Sequence, residues 1–123
     1  WETVRGIGHS FGYNAAETAD GHLSGDALIA MFLRIVGNGG NLLINIGPRA
    51  DGSVPPEQAG PLQALGRFLA ENGAGIYGSR PDPMLPPVDV DGEGGEARVM
   101  AVKVGSRRFA LVSGAASGRL QLP

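Results

Sequence analysis

The carboxylates and histidines on segments that could face one site sit mostly in the first third of the sequence. The carboxylates there are Glu2, Glu17, Asp20 and Asp26, with Asp51 further on, and the two histidines are His9 and His22. Asp26 follows Ser24 at a helix start, where a negative charge favours the helix dipole. Asp51 belongs to an Asp-Gly turn, and Glu17 and Asp20 lie in a polar loop and read as solvated. Glu2, on a strand, is the one carboxylate whose position local structure does not explain. His9 and His22 are too far apart for a helical metal pair and have no carboxylate at matching spacing. His9-Ser10 fails as base and nucleophile, because neighbours in a strand or turn rarely face each other and no nucleophile elbow surrounds them. Phe11 and Tyr13 form an aromatic pair on the same loop, suited to an apolar or sugar-stacking wall or to anchoring the loop.

Gly6, Gly8 and Gly12 invite a dinucleotide reading, but the third glycine is one position late for G-x-G-x-x-G. No helix opens there to receive a phosphate. The glycines at 37, 39 and 40 read as a helix stop rather than a phosphate loop, since the chain's single lysine is Lys103.

The elements that must position these residues alternate. Residues 1–8 suit a short strand and 9–23 a polar loop. Ser24 caps a helix whose body, 27–36, is apolar over most of its surface and so expected to be buried against a sheet. The run Leu42-Leu43-Ile44-Asn45-Ile46 predicts a strand over 41–46, buried on both faces as in parallel sheets, with Asn45 as the polar exception at its finish. A second helix starts near Pro55 or Pro56 with the stripe Leu62, Leu65, Phe68, Leu69 and closes at Asn72-Gly73. Pro61 implies either an interruption or a helix beginning at Pro61 itself. Strand, helix, strand, helix is the unit of a parallel α/β fold, whose active-site face is the strands' carboxyl end. Prolines 81, 83, 86 and 87 and the acidic, Gly-rich stretch 89–96 predict a linker. Residues 97–104 and 108–113 then read as a β-hairpin that opens a second, unfinished β-domain.

Composition narrows the function classes. A net charge of -2 gives no pull toward nucleic acid or an anionic membrane, and no apolar run approaches bilayer-spanning length. Zero cysteines exclude disulfides, thiolate metal sites and a cysteine nucleophile, and leave the compartment open. Twenty-one glycines and nine prolines, spread among good helix and strand patterns, mark a loop-rich α/β chain. Trp1 runs straight into patterned sequence, so the chain is expected to be a piece of a longer protein.

Several motifs taken together resemble one family. Trp1-Glu2-Thr3, Gly6-Ile7-Gly8 and Ser10-Phe11-Gly12-Tyr13-Asn14 are similar to the late barrel region of the α-L-fucosidases of glycoside hydrolase family 29. Gly39-Gly40-Asn41-Leu42-Leu43-Ile44-Asn45-Ile46-Gly47-Pro48 resembles that family's most recognisable stretch. Asp51-Gly52-Ser53-Val54-Pro55, Asn72-Gly73 and Ile76-Tyr77-Gly78-Ser79-Arg80-Pro81 continue the likeness in the family's order over residues 1–81. Ala74-Gly75 departs from it, standing where the family usually has Glu-Ala, as does Pro61.

The resemblance implies an α/β fold made of the last strand–helix units of a (β/α)8-like (TIM-type) barrel, followed by the beginning of a small β-sandwich. On that basis residues 1–80 belong to the catalytic barrel, 81–96 to a Pro/Gly-rich linker and 97–123 to the first strands of an incomplete sandwich. The implied activity is retaining hydrolysis of terminal α-L-fucosides in glycans or oligosaccharides, through a covalent fucosyl-enzyme and without metal or organic cofactor. Such chemistry needs two carboxyl groups roughly 5–5.5 Å apart. The family's nucleophile Asp and acid/base Glu would both precede Trp1, so no catalytic residue is expected here and the chain alone is expected to be inactive. Glu2 matches the Trp-Glu motif, not the acid/base position. Phe11 matches the aromatic of the apolar pocket around the C6 methyl of fucose and is the expected substrate-binding residue. A non-catalytic carbohydrate-binding or assembly piece of a degenerate barrel is the alternative, with sequence upstream of Trp1 as the discriminator.

Overall fold

The computed structural model describes residues 1–92 and 95–114. Strand β1 (Glu2–Gly6) leads through a long loop to helix α1 (Gly25–Gly37), which returns the chain to β2 (Asn41–Asn45). The two strands pair in parallel, Glu2 opposite Asn41 and Gly6 opposite Asn45. Helix α2 (Pro56–Asn72) follows and ends in a 3-10 turn, Gly73–Gly75. The predicted strand, helix, strand, helix order is therefore present.

Local chemistry sets the boundaries of α1. The Ser24 hydroxyl accepts from the Ala27 N–H at 3.1 Å, as expected of an N-cap, and Asp26 sits in the first turn. At the other end the Asn38 side-chain amide donates to the Arg34 carbonyl at 2.6 Å, satisfying one of the last turn's orphan acceptors.

Helix α2 corrects both expectations for Pro61. The helix runs unbroken from Pro56 to Asn72 with Pro61 inside it. Pro61 falls early, where only one backbone hydrogen bond is lost, and the residue is buried with its Cα near Gly25 at the α1–α2 contact. Strand β2 corrects another expectation, since it is covered on one face only. Leu42 and Ile44 are half-buried on the side of α1, whereas Leu43 and its register partner Val4 are about half exposed at 45% and 54%. Among the described residues nothing covers that second face.

Beyond Gly75 the chain builds an antiparallel sheet from β3 (Arg80–Pro81), β4 (Val88–Gly92), β5 (Gly95–Val104) and β6 (Arg107–Gly114). The expected hairpin is β5–β6, with Val104 opposite Arg107 and a two-residue turn at Gly105-Ser106. Gly105 alone has positive φ (+59°), which makes this the tight turn that demands glycine at its first central position. The expected linker at 81–96 is a correction: β3 pairs with Lys103 and Val102, and β4 pairs with residues 95–99, both along the edge of β5 opposite β6. Val88 and Val90, with exposed Asp89 between them, suit an edge strand, so composition misled where pairing decided. Residues 115–123 of the expected sandwich lie outside the described residues.

The core joins both halves. Leu33 of α1, Ile76, Met100 and Val102 of β5 and Leu111 of β6 form one buried cluster, flanked by Phe32, Val36, Phe68 and Phe109. Helix α1 thus lies between the parallel pair on one side and the antiparallel sheet on the other. The Ser113 hydroxyl adds a 3.1 Å hydrogen bond to the Ala30 carbonyl across that interface.

One buried charge fastens the turn after β3. The Asp82 side chain is inaccessible to solvent and pairs with Arg108 Nε at 2.7 Å and Lys103 Nζ at 3.2 Å, and it accepts the Met84 N–H at 3.1 Å. Burial pushes the carboxyl up, but the donors from Arg108, Met84 and Lys103 outweigh it and hold it below the usual carboxylate range. A depressed folded pKa means that this stabilisation is in full force above the unfolded value of about 4 and disappears as pH falls through the lower folded value. Wild-type protein should therefore melt above Asp82→Asn at neutral pH, with the gap closing under strongly acidic conditions. A gap that is independent of pH would refute the role given to this pair.

Candidate functional site

In parallel β/α structures ligands bind beyond the carboxyl ends of the strands, where loops vary without disturbing the sheet. Here that edge is built by residues 7–23 after β1 and 46–55 after β2. The first loop is drawn closed at its base by the Leu23 N–H, which donates to the Ile7 carbonyl at 2.9 Å. Phe11 and Tyr13 stand on it, exposed at 58% and 46%.

Three contacts fix the aromatic segment. The Asn45 side-chain amide, at the last position of β2, donates to the Phe11 carbonyl. The polar exception in the strand therefore anchors the neighbouring loop. Gly47, just beyond, is buried so closely against the Gly12–Tyr13 backbone that a Cβ has no room. The Glu17 carboxylate folds back to accept the N–H groups of His9 and Ser10, the latter at 3.3 Å. Reading Glu17 as a solvated loop carboxylate is thus corrected. It is half-buried, and although burial pushes it up, the two backbone donors and the nearby His22 hold its carboxyl below the usual range.

The second loop is equally well tied. Asp51 Oδ1 accepts from the Ser53 N–H at 2.9 Å and hydroxyl at 2.7 Å, bonds that lower its pKa and account for it as a turn residue. Gln58, buried in the first turns of α2, accepts the Gly47 N–H at 2.7 Å. The Arg49 guanidinium lies over the Tyr13 ring at 5.8 Å, bridging the two loops, within reach of a cation–π attraction. A small polar pocket of about 70 Å³ lies beside this pair, lined in part by Glu17, His22 and Glu57.

The remaining candidates separate from this edge. Glu2 is exposed at the start of β1, and four strand steps, about 13 Å, lie between it and the carboxyl end. Asp20 accepts from the Thr18 hydroxyl, which lowers its pKa, and Asp26 remains at the N-terminus of α1. His22 Nδ1 is 3.0 Å from the Thr18 carbonyl, so that nitrogen carries the proton. Among the described residues no three His, Asp or Glu side chains gather into a metal-binding group, and no helix is long and apolar enough to cross a membrane. A separate cavity of about 510 Å³, bordered by Gly39–Gly40 and Ile76–Arg80, opens at the amino end of β2 and holds no carboxylate. Sequence reasoning placed Phe11, Tyr13 and Asn45 correctly on the loop edge and missed Glu17 and Gln58 as loop-holding residues. Neither had a local signal, because each acts through contacts at least seven residues away.

A parallel strand–helix unit with two braced loops on the carboxyl edge is a scaffold of the α/β enzymes. The family model described as alpha-L-fucosidase matches residues 1–74. The chain is 37% identical over 81 residues to an alpha-L-fucosidase of Dictyostelium discoideum and 35% identical over 82 residues to human tissue alpha-L-fucosidase, covering 66% of this chain in each case. Among solved structures, that of Thermotoga maritima alpha-fucosidase in complex with fucose superposes with a TM-score of 0.79 at 36% identity, covering 89% of this chain and 25% of that one. The chain belongs to the α-L-fucosidase family of glycoside hydrolases. It spans 18% of the length of the curated relatives named here.

Proposed function

We propose that this chain is part of a retaining exo-α-L-fucosidase that removes terminal α-L-fucosyl residues from glycans or oligosaccharides. In this reading it supplies the last strand–helix units of a (β/α)8-like barrel and the start of a β-sandwich. An upstream Asp attacks the anomeric carbon to give a fucosyl-enzyme, and an upstream Glu first protonates the leaving oxygen and then activates water. This chain's own contribution is recognition. Phe11 forms an apolar wall against the C6 methyl, where the hydroxyl of the parent hexose would lose its hydrogen bonds.

The observation that carries the proposal is the half-exposed Phe11, its backbone carbonyl held at the carboxyl edge by Asn45, within a chain of this family. The Thermotoga relative was crystallised with fucose, which supports the same sugar as ligand. The test is hydrolysis of an aryl α-L-fucoside by the full-length parent, with the upstream Asp replaced as control. Turnover with retained anomeric configuration, lost in the Asp variant and undetectable with the 123-residue chain alone, is the expected result. An inactive parent, or inversion, would overturn it.

A further inference from the structure

We infer that Glu17 is a positioning residue for sugar recognition, setting where the Phe11 wall stands. This deepens the proposed function and rests on Phe11 meeting the sugar. The Glu17 carboxylate accepts the two consecutive N–H groups of His9 and Ser10, immediately before Phe11. Asn14, three residues nearer, reinforces the arc: its side-chain amide donates to the Ser10 hydroxyl at 2.9 Å and its backbone carbonyl accepts the Glu17 N–H at 3.1 Å. Glu17 thus closes a ring of backbone around residues 9–17, and Asn45 pins that ring to β2 through the Phe11 carbonyl.

An exposed aromatic on a glycine-containing loop has many positions available, and a wall gains selectivity when its ordering is complete before the sugar arrives. Glu17 is ionised at neutral pH, and charge-assisted bonds to backbone N–H groups are among the stronger available to a loop. Its carboxylate is engaged by the backbone of its own loop, so its role is to hold the aromatic and not to touch the reacting atoms.

The experiment uses the full-length parent with Glu17→Ala, Glu17→Gln and Glu17→Asp, each also combined with Phe11→Ala. Substrates are an aryl α-L-fucoside and the corresponding α-L-galactoside, its 6-hydroxy parent. For Glu17→Ala the fucoside KM should rise about fivefold with kcat within about twofold, as expected when uniform binding is lost. The preference for fucoside over galactoside should fall with it. Glu17→Gln keeps an accepting oxygen and should restore most of the preference. Glu17→Asp is one methylene too short and should behave like the alanine variant, which keeps the test alive if the latter fails to fold. Once Phe11 is alanine, removing Glu17 should change neither KM nor preference further. Unaltered preference in Glu17→Ala and Glu17→Asp, or effects that simply add to those of Phe11→Ala, would overturn the inference.

Amide hydrogen exchange at His9 and Ser10 supplies a readout independent of turnover. Both amides should exchange at least tenfold faster in Glu17→Ala than in wild type, since the acceptor that protects them is gone. Equal exchange rates would overturn the clamp itself. An inactive wild type with faster exchange in the variant would instead overturn the fucosidase reading, and with it the purpose assigned to the clamp.

Discussion

In the full-length protein, Phe11→Ala should raise KM for an aryl α-L-fucoside about tenfold and cut the preference for fucoside over galactoside by a similar factor. The magnitude follows from what one apolar contact contributes. A methyl seated on an aromatic ring contributes roughly 1–3 kcal/mol, and a site lacking the ring no longer leaves the extra hydroxyl of a hexose unpaired. The ring is half exposed, so its removal leaves no buried cavity and should leave folding intact. A loss that appears in KM and in the ratio of substrates, with kcat nearly constant, marks a residue bound equally in ground and transition states. Unchanged kinetics on both substrates would remove Phe11 from the site.

Gly47→Ala should be the most damaging conservative change on the carboxyl edge. Its Cβ would press into the Gly12–Tyr13 backbone, and a backbone obstacle has no rotamer by which to give way. Overpacking of this kind costs about 1–3 kcal/mol, and the relief available is to push the 11–13 segment outward. The variant should therefore show both a lower melting temperature and a raised fucoside KM. Gly12→Ala is the internal control, because an added Cβ there meets nothing within 4 Å. If Gly47→Ala melts and turns over like wild type, the tight approach of the two loops has no functional weight.

The parts of this structure legible in the sequence are those with short-range causes. Ser24, Asp26 and the apolar body of α1 announce that helix, and Gly105 announces the hairpin turn. Phe11 and Asn45 could be placed on the loop edge by strand order alone. What stayed hidden depends on partners distant in the chain. Val88 to Gly92 look like a linker until β5 offers them a ladder, and Pro61 looks like a break until α1 supplies the surface that buries it. Glu17 and Gln58 look like ordinary polar residues, since nothing nearby in sequence marks the amides that they receive. Glu2 drew attention by type, and only the direction of β1 shows that it occupies the wrong end.

The placement of α1 has a consequence for engineering. Its Leu33, Phe32 and Val36 share a core with Met100, Val102 and Leu111 of the sheet, while its other flank supports β2 and so the loop edge. The antiparallel sheet is therefore no detachable module. Grafting a different one would require redesigning α1's outer face, and the two halves should lose structure in a single cooperative transition. Selection acting on the sheet reaches the loops of the carboxyl edge through one helix.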